Sequence, residues 1–190
     1  VAMDPHMASA EPDEEVQDLL RASHGNNLGI DFLPGSLGIE RPDGLDPDLA
    51  ARVMWFDALT LNVDRSWRNP NLLRWHGRPR LIDHGAALYF HHDWGRAADK
   101  ARAPFAPIAD HVLLPFATAL PAADARLAPR VTPALVEAIV AAIPAAWLQD
   151  EPAFAGVAAH RAAYARHVGE RLQAPRLFVE EALRARTAHV

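Results

Sequence analysis

The chain has 190 residues, half of them hydrophobic, with 24 acidic and 19 basic residues and a formal net charge of −5. That is enough apolar material for one sizeable domain or one large lobe of a bigger enzyme, and no run of like charge points to a nucleic-acid or membrane surface. Zero cysteines exclude disulfides, zinc–thiolate sites and cysteine nucleophiles.

Residues 1–7 (VAMDPHM) read as a cloning scar and are set aside. In 12–23, acids in the first turn precede Val16, Leu19 and Leu20 at helical spacing, so a short amphipathic helix is expected to dock on something larger. Five glycines, with Pro34 and Pro42, make 24–44 a long loop. Asp46-Pro47 supplies an N-cap and a proline at the first helical position, and Leu49, Val53, Phe56 and Leu59 then line one face of a helix over about 47–61.

That helix runs into Asn62-Val63-Asp64. Two short apolar runs follow, 71–75 and 79–83, joined by His76-Gly77-Arg78, which predicts a hairpin with glycine in its turn. Residues 85–107 mix aromatic, His and Pro residues and predict an irregular segment. Farther on, 132–148, 156–173 and 175–188 are helical by pattern and predict a helical bundle. The most apolar run, 134–148, carries Glu137 and Pro144 and is shorter than the roughly 20 residues of a spanning helix, so it reads as a core helix. With neither a signal peptide nor a spanning segment in view, the expected location is cytoplasmic.

Asp64, Asn69 and Asp83 carry the strongest chemical signal. Asn69 follows Asp64 by five positions, and Asp83-His84-Gly85 follows Asn69 by fourteen. Phosphoryl transfer needs a carboxylate at the attacking hydroxyl and oxygen ligands for Mg²⁺, and this spacing supplies both from adjoining loops. Asp64 would take the hydroxyl proton, while Asn69 and Asp83 would hold Mg²⁺ against the phosphates of ATP, with Gly85 allowing tight backbone passage beside them. Asn71 is the alternative metal ligand. Arg65 either neutralises phosphate charge or clamps the loop through a structural salt bridge.

His84, His91, His92 and Asp93 lack the spacing of a zinc site and read as ordinary partly buried or surface groups. Trp55, Trp67, Trp75 and Trp94 read as packing residues.

On these residues the chain resembles the HipA-like kinases, known for the toxins of HipA/HipB toxin–antitoxin pairs. The likeness covers about 13–183, concentrated in 62–90 (NVDRSWRNPNLL…LIDHGAALYF), and is nearest the actinobacterial type. The resemblance implies an α+β, mostly α fold: a protein-kinase-like C-lobe with a hairpin between the catalytic loop and Asp-His-Gly, followed by helices. It implies Asp64 as catalytic-loop aspartate, Asn69 as metal-binding asparagine and Asp83 as the aspartate of the Asp-Phe-Gly position. It also implies ATP and Mg²⁺ as cofactors and a protein substrate or an antitoxin-like partner. The Asp64-Arg65 pair is also similar to the phosphatidylinositol kinases. Asn62 stands where ordinary kinases place His, and His84 replaces Phe.

A kinase N-lobe carries a glycine-rich loop and a strand lysine. The sole lysine, Lys100, follows Asp83, so 8–45 reads as a remnant leading to an N-lobe and 46–190 as the C-lobe. Two functions follow: an ATP-dependent kinase lobe, inactive when isolated, or a non-catalytic pseudokinase or toxin-like protein-binding module.

Overall fold

The computed structural model describes residues 1–188. The fold is α+β, about 51% helical and 9% strand, with seven α-helices and two small antiparallel sheets among the described residues. None of these helices is long and apolar enough to cross a membrane.

Helix α2 (Pro47–Thr60) is the central element. Asp46 caps it, accepting the N–H groups of Asp48 and Leu49, and Pro47 occupies its first turn. It buries Ala50, Ala51, Val53, Met54, Trp55, Asp57, Ala58 and Leu59, so it is covered on most of its circumference. The expected single apolar face is therefore too narrow, and Phe56, assigned to it, points outward and is 42% exposed. Helices α4 (Leu120–Leu127) and α7 (Leu177–Ala188) pack along α2. Asp124 of α4 ties that helix to α2 and to the residue preceding α7, accepting Trp55 Nε1–H at 2.8 Å and a bidentate pair from Arg176 at 2.7 and 2.6 Å.

Strands β4 (Leu72–Trp75) and β5 (Arg78–Leu81) form the hairpin, with Leu72 opposite Leu81 and Trp75 opposite Arg78. Its turn is His76-Gly77, both with positive φ (47° and 73°), the conformation that matches the twist of the flanking strands. Strand β3 (Leu37–Gly38), from within the glycine-rich loop, adds to the β4 edge.

Several expectations need correction. The segment 24–44, expected as loop, carries the short strand β2 (Gly25–Asn26), which pairs with Ala2–Met3 (β1). Helix α1 (Glu14–Ala22) is capped by Asp13 and buries no residue; it rests on the 3-10 turn Pro5–Ala10, with Leu19 67% exposed. The segment 85–107 contains a short helix, α3 (Ala97–Ala101). The helix expected over 132–148 ends early: α5 is Pro133–Ala141, and Pro144, lacking an N–H, separates it from a 3-10 turn at Ala145–Trp147. Helix α6 (Val157–Arg171) packs on α5 and α3.

Candidate active site

The site grows from the C-terminal end of α2. Leu61 caps that helix in the left-handed conformation (φ 60°), donating its N–H to Asp57 O. The chain then turns back on Asp57, whose carboxylate is fully buried. Asn62 Nδ2 donates to Asp57 Oδ1 at 3.0 Å, while Arg65 Nε and His111 Nε2 reach Asp57 Oδ2 at 2.6 and 3.1 Å. His111 Nδ1 accepts the Leu113 N–H at 3.1 Å, which leaves Nε2 as the ring donor toward Asp57. Burial alone would push the Asp57 carboxyl up, but the hydrogen bond from His111, then the charge and bond of Arg65, outweigh it and hold it below the ordinary carboxylate value.

Arg65 is 1% exposed. Besides Asp57, its guanidinium donates through Nη1 to Asn71 O at 2.5 Å and Pro70 O at 3.4 Å, and through Nη2 to His84 Nε2 at 3.1 Å. It thus ties the loop after α2 to both ends of the hairpin. Since every arm of the fork is engaged and buried, Arg65 is a clamp, and its alternative role on phosphate is set aside. The bond requires an unprotonated His84 Nε2; burial, then the Arg65 charge, hold His84 below the ordinary histidine value.

Asp64 projects from the other side of this clamp and is half-buried. Asn62 Oδ1 accepts its backbone N–H at 3.2 Å. Its Oδ2 accepts Asn69 Nδ2 at 2.9 Å and Asn71 Nδ2 at 3.0 Å. Because a carboxylate only accepts, both amides must offer nitrogen, and both amide oxygens are turned away from it. Asp64, Asn69 and Asn71, grouped by spacing alone, are thus one hydrogen-bonded set.

Asp83 arrives from the far strand. Ile82 N–H donates to Asn71 O at 3.1 Å, extending the ladder one step past Leu72–Leu81. One residue farther on each side stand Pro70 and Asp83, so the hairpin brings Asp83 to the end occupied by Asn69 and Asn71. Asp83 has φ 48°, is exposed, and accepts Gly85 N–H on Oδ1 at 3.2 Å. A Cβ at position 85 would stand 3.2 Å from that same oxygen, tighter than side-chain carbons normally approach, so glycine lets the carboxylate fold back. Of the five non-glycine residues with positive φ among the described residues, Leu61, Asn71, Asp83 and Leu88 bracket this site. Such conformations cost about 1–2 kcal/mol each, and their concentration marks a segment held by its surroundings.

Two carboxylates and two amides suit Mg²⁺, which takes few protein ligands and keeps several waters. Asn69 and Asp83 could hold it, with Asn71 as the alternative; the amide oxygens turned from Asp64 and Asp83 Oδ2 are the atoms such an ion would take. His84 stands apart from the other two histidines, facing Arg65, whereas His91 lies against His92 (ring centroids 4.4 Å) with Nδ1 3.0 Å from the Tyr164 hydroxyl. Among the described residues no three His, Asp or Glu side chains converge as a metal site. Trp67, expected to pack inside, is 50% exposed, its ring 6.4 Å from Phe116.

Sequence reasoning missed Asp57 and His111. Asp57 had a signal, an acid among Val53, Met54, Ala58 and Leu59 on a buried helix. His111, fifty-four residues away, had none. No known family model, curated protein or solved structure matches the chain.

Proposed function

We propose that this chain is the catalytic-loop lobe of a HipA-like kinase, transferring the γ-phosphoryl group of ATP to a Ser or Thr hydroxyl of a protein. The observation that carries the reading is the convergence of Asn69 and Asn71 on a single oxygen of Asp64. Both amides fix the carboxylate and leave Oδ1 for the attacking hydroxyl, whose proton it would accept. Asn69 and Asp83 would hold Mg²⁺, with Asn71 as the alternative, and that ion would neutralise phosphate charge. Arg65 acts at one remove, as a positioning residue between Asp57, the hairpin and His84. In this reading the fold is a protein-kinase-like C-lobe and the location cytoplasmic.

One observation favours the second reading, a non-catalytic pseudokinase or toxin-like module that binds a protein partner. The sole lysine is engaged elsewhere, Lys100 Nζ lying 5.3 Å over the Tyr89 ring, so the phosphate-binding lysine of a kinase has no counterpart in this sequence.

The test is transfer of label from γ-labelled ATP with Mg²⁺, to the chain itself and to casein, by this chain and by an N-terminally extended form, with calorimetry of Mg-ATP alongside. Activity in the extended form that Asp64→Asn abolishes supports the kinase reading. Failure of both forms to bind or transfer overturns it in favour of the binding module.

A further inference from the structure

A cavity of about 310 Å³ lies in the helical half, between the 3-10 turns Tyr89–His92 and Ala145–Trp147 and the face of α6. Its walls are aromatic. Trp94 and Tyr164 meet almost at right angles (85°, centroids 4.9 Å apart), and the His91 ring stands at 87° to Tyr164 at 6.2 Å. Perpendicular rings leave an angle between them, and Trp94, Tyr164 and His91 all line the cavity.

The corner is rigid. Behind it His160 is stacked against both Tyr164 (17°, 5.2 Å) and Phe154 (22°, 4.6 Å) and is fixed by Nδ1 on Leu148 O at 3.1 Å. Trp147 forms the outer wall. It is 49% exposed, yet its indole N–H is held by Asn26 O at 2.9 Å, so a large aromatic face is kept in position without being covered.

Charge at the mouth has one sign. Asp150 and Glu151 line it, and no arginine or lysine is among the lining residues, in a chain with 19 basic side chains. Glu151 uses Oε1 for the Ala153 N–H at 3.0 Å. Its charge reaches both Tyr164 and His91. Burial, then the neighbouring His92 and His160, hold His91 below the ordinary histidine value, so that wall is uncharged at pH 7.

We infer that this cavity binds an organic cation, an alkylammonium or guanidinium head on a short alkyl chain, seated in the Trp94–Tyr164–Trp147 corner against Glu151. Aromatic faces attract such cations through their quadrupoles, and a carboxylate at the rim selects positive charge over an isosteric neutral group. The volume is at the low end of the about 300–1,000 Å³ range of ligand pockets and suits a side-chain-sized head. The site is separate from Asp64 and stands whether or not the chain transfers phosphate.

Calorimetry with three probes tests it: Nα-acetyl-arginine amide and choline as cations from a polypeptide and a free source, and Nα-acetyl-citrulline amide as the neutral isostere of the first. At least one cation is expected to saturate with a dissociation constant on the order of 1 mM, and citrulline to bind at least about tenfold more weakly. A preference for the arginine amide identifies a polypeptide side chain as occupant, and a preference for choline a free amine. Trp147→Ala removes a half-exposed wall and Glu151→Gln keeps the Ala153 acceptor, so both should fold. Each is expected to weaken the cation by about tenfold or more with the melting temperature unchanged. Equal binding of citrulline, no saturable binding of either cation, or wild-type affinity in Trp147→Ala would overturn the inference.

Discussion

Arg65 Nε lies 2.6 Å from Asp57 Oδ2 with both side chains fully buried, one residue after the carboxylate that the site presents outward. Consecutive residues thus face opposite ways: Asp64 toward the open end of the hairpin, Arg65 into the protein. Removing one member of a buried pair leaves the other charge without compensation, which costs about 3–5 kcal/mol. Arg65→Ala should therefore lower the urea-unfolding free energy by that amount, and Asp57→Leu with Arg65→Met should recover a large part of it. A single-variant loss below about 1 kcal/mol would show that the pair does not hold the loop.

Arg171 anchors the same loop from behind. It is 2% exposed and donates to Ala58 O (2.6 Å) and Leu59 O (2.9 Å) at the end of α2, and to Lys100 O (3.1 Å) at the end of α3, with Phe178 5.2 Å beneath it. It closes two helix C-termini at once, where a cation is also favoured by the dipoles. Burial pulls its pKa down to about 10, well above pH 7, so the guanidinium remains charged. Arg171→Lys keeps the charge but loses the fork, and should cost about 2–4 kcal/mol. Amide exchange should quicken selectively around Leu59–Asn62. Exchange rising only as global stability falls would count against a local capping role.

His167 makes stability depend on pH. It is 3% exposed, stacked 3.5 Å from Phe90 at 9°, with Nδ1 on Ala97 O at 3.0 Å. Burial, then the Arg171 charge, pull its pKa from 6.5 to about 4. Between those values the folded state binds fewer protons than the unfolded state. Stability is therefore full above about pH 6.5 and is lost as pH falls toward about 4, by at most roughly 3 kcal/mol. His84 and His91 shift the same way and add to the slope. His167→Phe should be less stable at pH 7 through loss of the Ala97 bond, yet lose clearly less between pH 7 and pH 5. Parallel losses in urea titrations of both proteins would show that His167 does not titrate in this window.

Where the sequence was read correctly, the physics was local. Asp46-Pro47 starts α2 because a cap and a fixed φ act within one turn, and His76-Gly77 closes the hairpin because two residues suffice for its twist. The Asp64–Asn69 pairing spans five residues of one loop, and a hairpin with a short turn carries Asp83 to the same end of the ribbon. What escaped was set by distant partners. Phe56 faces outward because α4 and α7 claim the rest of α2, and His111 and Arg171 reach Asp57 and Leu59 across 54 and 112 residues, separations with no periodic signature. Arg65 was legible as either a phosphate contact or a clamp, and only its burial decided between them.

Asn69 and Asn71 share one oxygen of Asp64 but sit in different surroundings, which lets chemistry be separated from folding. Asn71 is 8% exposed, has φ 48°, and its carbonyl accepts both Arg65 and Ile82. Asn71→Ala should therefore destabilise by about 1–3 kcal/mol from the left-handed backbone and the lost amide bond. Asn69 is exposed, so Asn69→Ala should leave stability within about 0.5 kcal/mol. Asp83→Asn tolerates φ 48° and keeps an oxygen for Gly85, so it too should fold normally while losing its charge. If the site holds Mg²⁺ and ATP, Asn69→Ala and Asp83→Asn, made in the N-terminally extended form, should each reduce its Mg²⁺-dependent phosphoryl transfer by at least about 100-fold at unchanged melting temperature. Full activity in Asp83→Asn would remove it from the site, and full activity in Asn69→Ala would shift the ligand role to Asn71.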